Sequence, residues 1–232
     1  MVRKIVIILT TLLSAALSTA ATPDKRIVGG EAVKHVLTAA HCAFWSEDWL
    51  VPAGTLNRTT GGQVVAAKSI VYPGYVRRRR KGYAMNDVAI LKLSTPIQKS
   101  ETIGYATLPA AGSDPVANSL AIAAGWGGTD DYGHPLEQFN KTIIPIHTRE
   151  KGSNEFWIAT GIEDEVCAGG DGKDTCKGDS GGPLIDQETG HIIGITSRSS
   201  WPSGCGRHPG LYARVSSYIF RKILGCLRQH LV

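Results

Sequence analysis

The sequence predicts an all-β fold, a sandwich or a barrel, with one helix at the C-terminus. Two observations lead there. Short β-branched runs recur along the chain, with 27 Gly and 11 Pro among 232 residues to punctuate them. No stretch before Tyr218 carries the three-and-four apolar spacing of a long buried helix.

In chain order the runs are 64–71, 87–93, 120–123, 141–146 and 191–195. Gln187-Glu188-Thr189-Gly190 lies between two apolar runs and reads as a hairpin turn. At the C-terminus Tyr218, Ile219, Ile223, Cys226, Leu227 and Leu231 recur at helical spacing, with Ser216 or Ser217 as the N-cap. That apolar stripe is expected to pack on the β core.

Composition excludes several classes. Hydrophobic residues make up 42% and the formal charge is only +5, which is incompatible with disorder. Nor does any segment beyond the leader offer the long apolar run of a polytopic membrane protein. The leader itself reads Arg3-Lys4, an apolar run from Ile5 to Leu17, then Ser18-Thr19-Ala20-Ala21. Residues 1–20 are therefore expected to be a secretory signal peptide. The apolar run is too short for a comfortable span, and no stop-transfer pattern follows. Secretion would expose the five Cys to an oxidising compartment, and glycans could attach at Asn57 and Asn140, which begin Asn-X-Thr sequons. Losing Arg3, Lys4, Lys25 and Arg26 against Asp24 also shrinks the positive balance, so charge gives no argument for a nucleic-acid partner.

Three strings carry chemistry: Leu37-Thr38-Ala39-Ala40-His41-Cys42, Asn86-Asp87-Val88-Ala89-Ile90-Leu91 and Gly178-Asp179-Ser180-Gly181-Gly182-Pro183. A serine hydroxyl is a weak nucleophile unless an imidazole takes its proton. The imidazole in turn needs a buried carboxylate to fix its tautomer. Glycines beside the serine let backbone N–H groups approach a developing oxyanion.

In these strings and their order the chain resembles the trypsin-like serine proteases of the chymotrypsin fold. The resemblance implies two packed antiparallel β-barrels, with residues 27–232 as the protease domain. It implies Ser180 as nucleophile, His41 as general base then acid, Asp87 as the orienting carboxylate, and an oxyanion hole from the N–H groups of Gly178 and Ser180. Arg26-Ile27-Val28-Gly29-Gly30 looks like the family's activation junction, making 21–26 a short pro-segment. Cleavage after Arg26 would free the Ile27 amine to pair with Asp179. Ala124-Gly125-Trp126-Gly127-Gly128 also resembles a family segment, read here as packing and loop conformation.

Asp174 lies six residues before Ser180, where trypsin-like members place a carboxylate at the base of the primary pocket. With Thr175, Ser200, Trp201 and Gly210 it makes the implied substrate-binding set. A buried anion there would select Arg or Lys. Pro209 precedes Gly210 where sodium-binding relatives carry Tyr, and nothing points to a metal or organic cofactor. Cys176 and Cys205 resemble the pair beside that pocket.

The chain also departs from the family. Only ten residues separate Gly30 from His41, where the family has further barrel strands and a Cys-bearing stretch. The first barrel is thus expected to be incomplete, with open edges, and Cys42 to lack its usual partner. A Cys167–Cys226 or Cys42–Cys226 bond is the remaining pairing on offer. The run from Thr196 to Cys205 is longer than in the family, so either Ser197 or Ser200 supports Asp87; Ser200-Trp201 fits the distance to Cys205 better. Arg77 to Lys81 is a basic run expected in an exposed loop, a polyanion or self-cleavage site if it is not simply solvated.

The expected function is a secreted, monomeric zymogen of a serine endopeptidase. It would act on proteins or peptides with Arg or Lys before the scissile bond, and protein protease inhibitors are possible partners. The alternatives are an inactive homologue acting as a binding or decoy protein, and a polyanion-binding protein.

Overall fold

The structure, a computed structural model, describes residues 3–4, 33–71, 74–77, 84–129, 133–156, 162–199 and 204–219. In chain order the elements are β1 (Arg3–Lys4), β2 (Val33–Thr38), α1 (Ala40–Ala43), β3 (Asp48–Ala53), β4 (Gln63–Val71), β5 (Val76–Arg77), β6 (Ala84–Met85), β7 (Ala89–Ile97), β8 (Leu120–Gly125), β9 (Asn140–His147), α2 (Arg149–Phe156), β10 (Glu165–Ala168), β11 (Pro183–Asp186), β12 (Ile192–Arg198) and β13 (Gly210–Arg214). Short 3₁₀ turns cover Ile162–Asp164 and Val215–Ser217.

Two β-bodies result. The second is a closed six-stranded barrel in the order β10-β13-β12-β11-β8-β9. The first is an open sheet, β1-β3-β4-β7-β2, with β2 on one edge and the two-residue β1 lying parallel to β3 on the other. The expectation of an all-β, chymotrypsin-like fold is met, and among the described residues the first body is a sheet that does not close. Strands β4, β7, β8, β9 and β12 arise from the β-branched runs. Their alternation shows in β4, where Val65 and Ala67 are buried between exposed neighbours.

The hairpin at 187–190 forms as expected. Asp186 Oδ1 accepts the Thr189 N–H at 2.8 Å and its hydroxyl at 2.7 Å, while Gly190 takes a φ of 72°. Two helices were not foreseen. In α2 the sequence is polar, so its period is faint. The helix is started by Thr148, whose Oγ1 accepts the Lys151 N–H, and it docks through Gly152, where a Cβ would come within 2.8 Å of Cys167 Cβ. The expected C-terminal helix lies beyond the described residues. Of its proposed caps, Ser216 sits in a 3₁₀ turn and donates to the Ser113 carbonyl.

Each body has its own core: Trp49, Val51, Leu91 and Leu93 among others in the first, Ile144, Ile146, Leu184 and Tyr212 in the second. A third cluster joins them. Ala39 and Val88 of the first body pack against Ile195, Ala213, Val215 and Tyr218 of the second. Burial of such side chains is worth about 25 cal/mol per Å² of apolar surface. Ala39 and Val88 are near neighbours in sequence of His41 and Asp87, so the same packing that joins the bodies sets the site.

Candidate active site

Asp87 enters the joint from the turn ahead of β7. Asn86 holds a φ of 55°, a conformation Asn tolerates, and its Nδ2 donates to the Gly74 carbonyl at 2.8 Å. This aims Asp87, fully buried, at α1. Its Oδ1 accepts the backbone N–H of His41 at 2.7 Å, and its Oδ2 accepts Nδ1–H of the same residue at 2.7 Å. Ser197 Oγ donates to Oδ2 at 2.6 Å. Of the two serines left open by the sequence, Ser197 reaches Asp87; Ser200 and Trp201 lie outside the described residues. Burial pulls the His41 pKa down, while the bonds with Asp87 and Cys42 push it up and prevail, to about 10.

Ser180 lies on the turn before β11, half-buried. Within its own barrel the turn is tied by Gly181 N–H, which donates to Thr196 O at 2.8 Å, and across the joint a Cβ on Gly181 would meet Thr38 Oγ1 at 2.4 Å. Glycine is therefore required beside the serine. The N–H groups of Gly178 and Ser180 donate to no other described residue, and Gly178 has a φ of 99°. His41 Nε2 does not bond Ser180 Oγ; it lies 3.4 Å from Cys42 Sγ.

Asp179 is held by two backbone N–H groups. Its Oδ1 accepts the Gly127 N–H at 2.7 Å and its Oδ2 the Cys176 N–H at 2.9 Å. Burial raises its pKa against these two bonds. Gly125 and Gly127 leave its seat: an added Cβ would stand 2.1 and 2.3 Å from its carboxylate oxygens. The segment read from sequence as packing thus seats a carboxylate. A cavity of about 310 Å³ adjoins it, lined by Gly125, Gly127, Leu136, Asp174, Cys176 and Asp179 among others. Arg26 and Ile27 lie outside the described residues.

Asp174 is bonded on one side only. Oδ1 accepts the Tyr212 hydroxyl at 2.7 Å and the Thr175 N–H at 2.7 Å, while the buried Oδ2 has no partner among the described residues. Gly210 faces it, since a Cβ there would approach Oδ2 to 3.0 Å. Burial pushes Asp174 up to about 6, against the lowering bonds from Tyr212 and Thr175. Thr175 is buried, and its hydroxyl lies 3.1 Å from Tyr212 Oη, so it braces Asp174 from within. The expected disulfide Cys176–Cys205 is present. Cys42 and Cys167 are free, and Cys226 lies outside the described residues.

One charged pair gave little sequence signal. Glu165 is 4% exposed at the start of β10 and takes a bond from Arg198 Nη2 at 3.4 Å. Burial pushes Glu165 up to about 8, with Arg198 opposing. Only a charge abutting the apolar Val166-Cys167-Ala168 run could have marked it. Of the basic run, Arg77 belongs to β5 and the remainder, 78–81, lies outside the described residues.

Two β-bodies, one a closed barrel, with an imidazole, a buried carboxylate and a glycine-flanked serine at their joint, have the architecture of the chymotrypsin-like serine proteases. A family model described as Trypsin matches residues 15–220, and the chain belongs to that family. It is 34% identical over 84% of its length to the venom serine protease Bi-VSP of Bombus ignitus, of which it spans 57%. To chymotrypsin-C of Rattus norvegicus it is 36% identical, over 79% of this chain and 71% of the relative. To trypsin of Saccharopolyspora erythraea it is 35% identical, over 85% and 86%. The crystal structure of the scabies mite inactivated protease paralogue S-D1 shares the fold, with a TM-score of 0.69 and 21% identity over 81% of each chain.

Proposed function

We propose that the protein is a secreted serine endopeptidase that cleaves after Arg or Lys. The carrying observation is the contrast between two carboxylates, Asp87 and Asp174. Asp87 is saturated by His41 and Ser197, as a carboxylate that only orients an imidazole should be. Asp174 keeps one buried oxygen without a partner among the described residues and facing Gly210, and a guanidinium or ammonium would supply the missing partner.

In the mechanism, His41 takes the Ser180 proton as Oγ attacks the scissile carbonyl. Asp87 holds the resulting imidazolium, and the free N–H groups of Gly178 and Ser180 receive the oxyanion. His41 then gives the proton to the leaving amine, and water repeats the sequence on the acyl-enzyme. Cleavage after Arg26 would bring the Ile27 amine to Asp179 by way of the adjoining cavity, pairing a carboxylate that among the described residues accepts from two N–H groups alone. The amine's positive charge would stabilise that carboxylate and the turn carrying Gly178 and Ser180. The leader and the kinship with venom and digestive enzymes support secretion. Among the described residues no helix is long and apolar enough to cross a membrane.

A second reading has its own observation. Among the described residues the first sheet does not close and Ser180 Oγ makes no hydrogen bond, which suits an inactive homologue that binds proteins without cutting them. A fluorophosphonate probe separates the two. The endopeptidase reading expects mass spectrometry to find Ser180 labelled after cleavage behind Arg26 and unlabelled in His41→Ala. A folded, cleaved chain that stays unlabelled supports the inactive homologue.

A further inference from the structure

We propose that the Cys42 thiol is a positioning group for His41: it holds Nε2, the ring nitrogen that must serve Ser180, and so opposes the turn of the imidazole toward the nucleophile. This rests on the endopeptidase reading for its consequence, though not for its geometry.

Three observations meet at the sulfur. Sγ lies 3.4 Å from Nε2 and the cysteine is free. Ser180 Oγ makes no hydrogen bond to a described residue, so the nucleophile's place on Nε2 is taken by the thiol. The sulfur also stands against the serine's own turn, since a Cβ on Gly181 would be 3.5 Å from Sγ. Its position is fixed by packing: Cys42 N–H donates to Ala39 O at 3.2 Å, and the residue packs on the cluster that joins the two bodies.

The chemistry favours one protonation state. Asp87 holds the proton on Nδ1, so in the neutral ring Nε2 can only accept, and S–H is a weak donor. In the protonated ring Nε2–H donates to sulfur while Nδ1–H donates to Asp87, and both contacts are then charge-assisted. Sulfur therefore acts in the same direction as the carboxylate, raising the proton affinity of His41. The titratable groups acting on the ring are Asp87, ahead of β7, and Cys42 on α1 itself; Ser197 of β12 acts through Asp87. A base held protonated, with its working nitrogen on sulfur, is a slow base. Removing the thiol should speed it.

The test reads the ring before it reads turnover. The full chain, cleaved after Arg26, is titrated by NMR of the histidine ring protons, with His41 assigned by comparison with His41→Ala. In Cys42→Ala the His41 midpoint should fall by about half a unit, and kcat/KM for an Arg ester below the midpoint should rise about threefold. In Cys42→Ser, which keeps the volume and a polar atom, the fall should be smaller. Coincident His41 titrations in the native chain and in whichever of these variants folds would overturn the proposal. The midpoint is independent of catalysis, so a lowered midpoint without Ser180-dependent hydrolysis upholds the contact and overturns only the endopeptidase reading.

Discussion

Ser197 Oγ donates a 2.6 Å hydrogen bond to Asp87 Oδ2, joining the end of β12 to a turn 110 residues earlier in the chain. The bond crosses from the closed barrel to the open sheet, and it satisfies the oxygen that also holds His41 Nδ1–H. Replacing Ser197 with Ala leaves that buried carboxylate short of one donor, at a cost of about 1–3 kcal/mol in unfolding free energy. Denaturant titration should show this loss. kcat should fall with it, while the ratio of Arg to Phe substrate cleavage should stay unchanged, because Asp174 is untouched.

Asp174 gives a pH dependence with a definite sign. Burial raises its folded pKa to about 6, above its unfolded value, so the anion is present above that pH and lost below it. KM for Arg or Lys substrates should therefore rise as pH falls through 6, with KM for an apolar substrate level over the same range. Stability runs the other way. Ionisation of a group raised by burial opposes folding, a penalty absent below the unfolded carboxylate range and complete above about pH 6. Asp174→Asn should accordingly raise Tm at pH 8, leave it near the native value at pH 3, and remove the Arg preference.

The seat of Asp179 is built from missing side chains. A methyl group on Gly127 would lie 2.3 Å from Asp179 Oδ2, and backbone holds both partners in place. Gly127→Ala must therefore expel the carboxylate from its two N–H donors. The expected result is a destabilisation of about 2–3 kcal/mol, as for a buried charge left without its bonds. Cleavage after Arg26 should no longer increase fluorophosphonate labelling of Ser180.

Much of this was legible in the sequence because the signals are local. His41, Asp87 and Ser180 each sit in a short string whose neighbours suit the chemistry proposed for them, and the strands announce themselves through β-branched runs. Other features depend on partners far along the chain. The sequence left Ser197 and Ser200 open and favoured Ser200 by its distance to Cys205, yet it is Ser197 that meets Asp87 across the joint. Gly125 and Gly127 looked like loop glycines because the group that fills their space, Asp179, lies more than fifty residues on. The polar helix α2 is set by a docking glycine and a threonine cap rather than by an apolar stripe. The approach of Cys42 Sγ to His41 Nε2 is a side-chain contact, which no periodicity encodes.

The Cys176–Cys205 bridge closes a loop with a sequence separation of 29 that carries Ser180 and ends beside Gly210. Replacing both cysteines with Ser should cost about 2–4 kcal/mol by releasing that loop in the unfolded chain. The loss should appear in the denaturation midpoint. Because Cys176 lies two residues after Asp174, KM for Arg substrates should rise along with the loss of stability.

The central claim is that His41, Asp87 and Ser180 work together on a substrate whose cation lies on Asp174. Steady-state hydrolysis of an Arg ester by the chain cleaved after Arg26, set against its Ser180→Ala variant, tests it most directly. The account predicts turnover that falls on the order of 10⁶-fold in kcat when Ser180 is lost. A folded, cleaved chain whose hydrolysis is the same with and without Ser180 would contradict it.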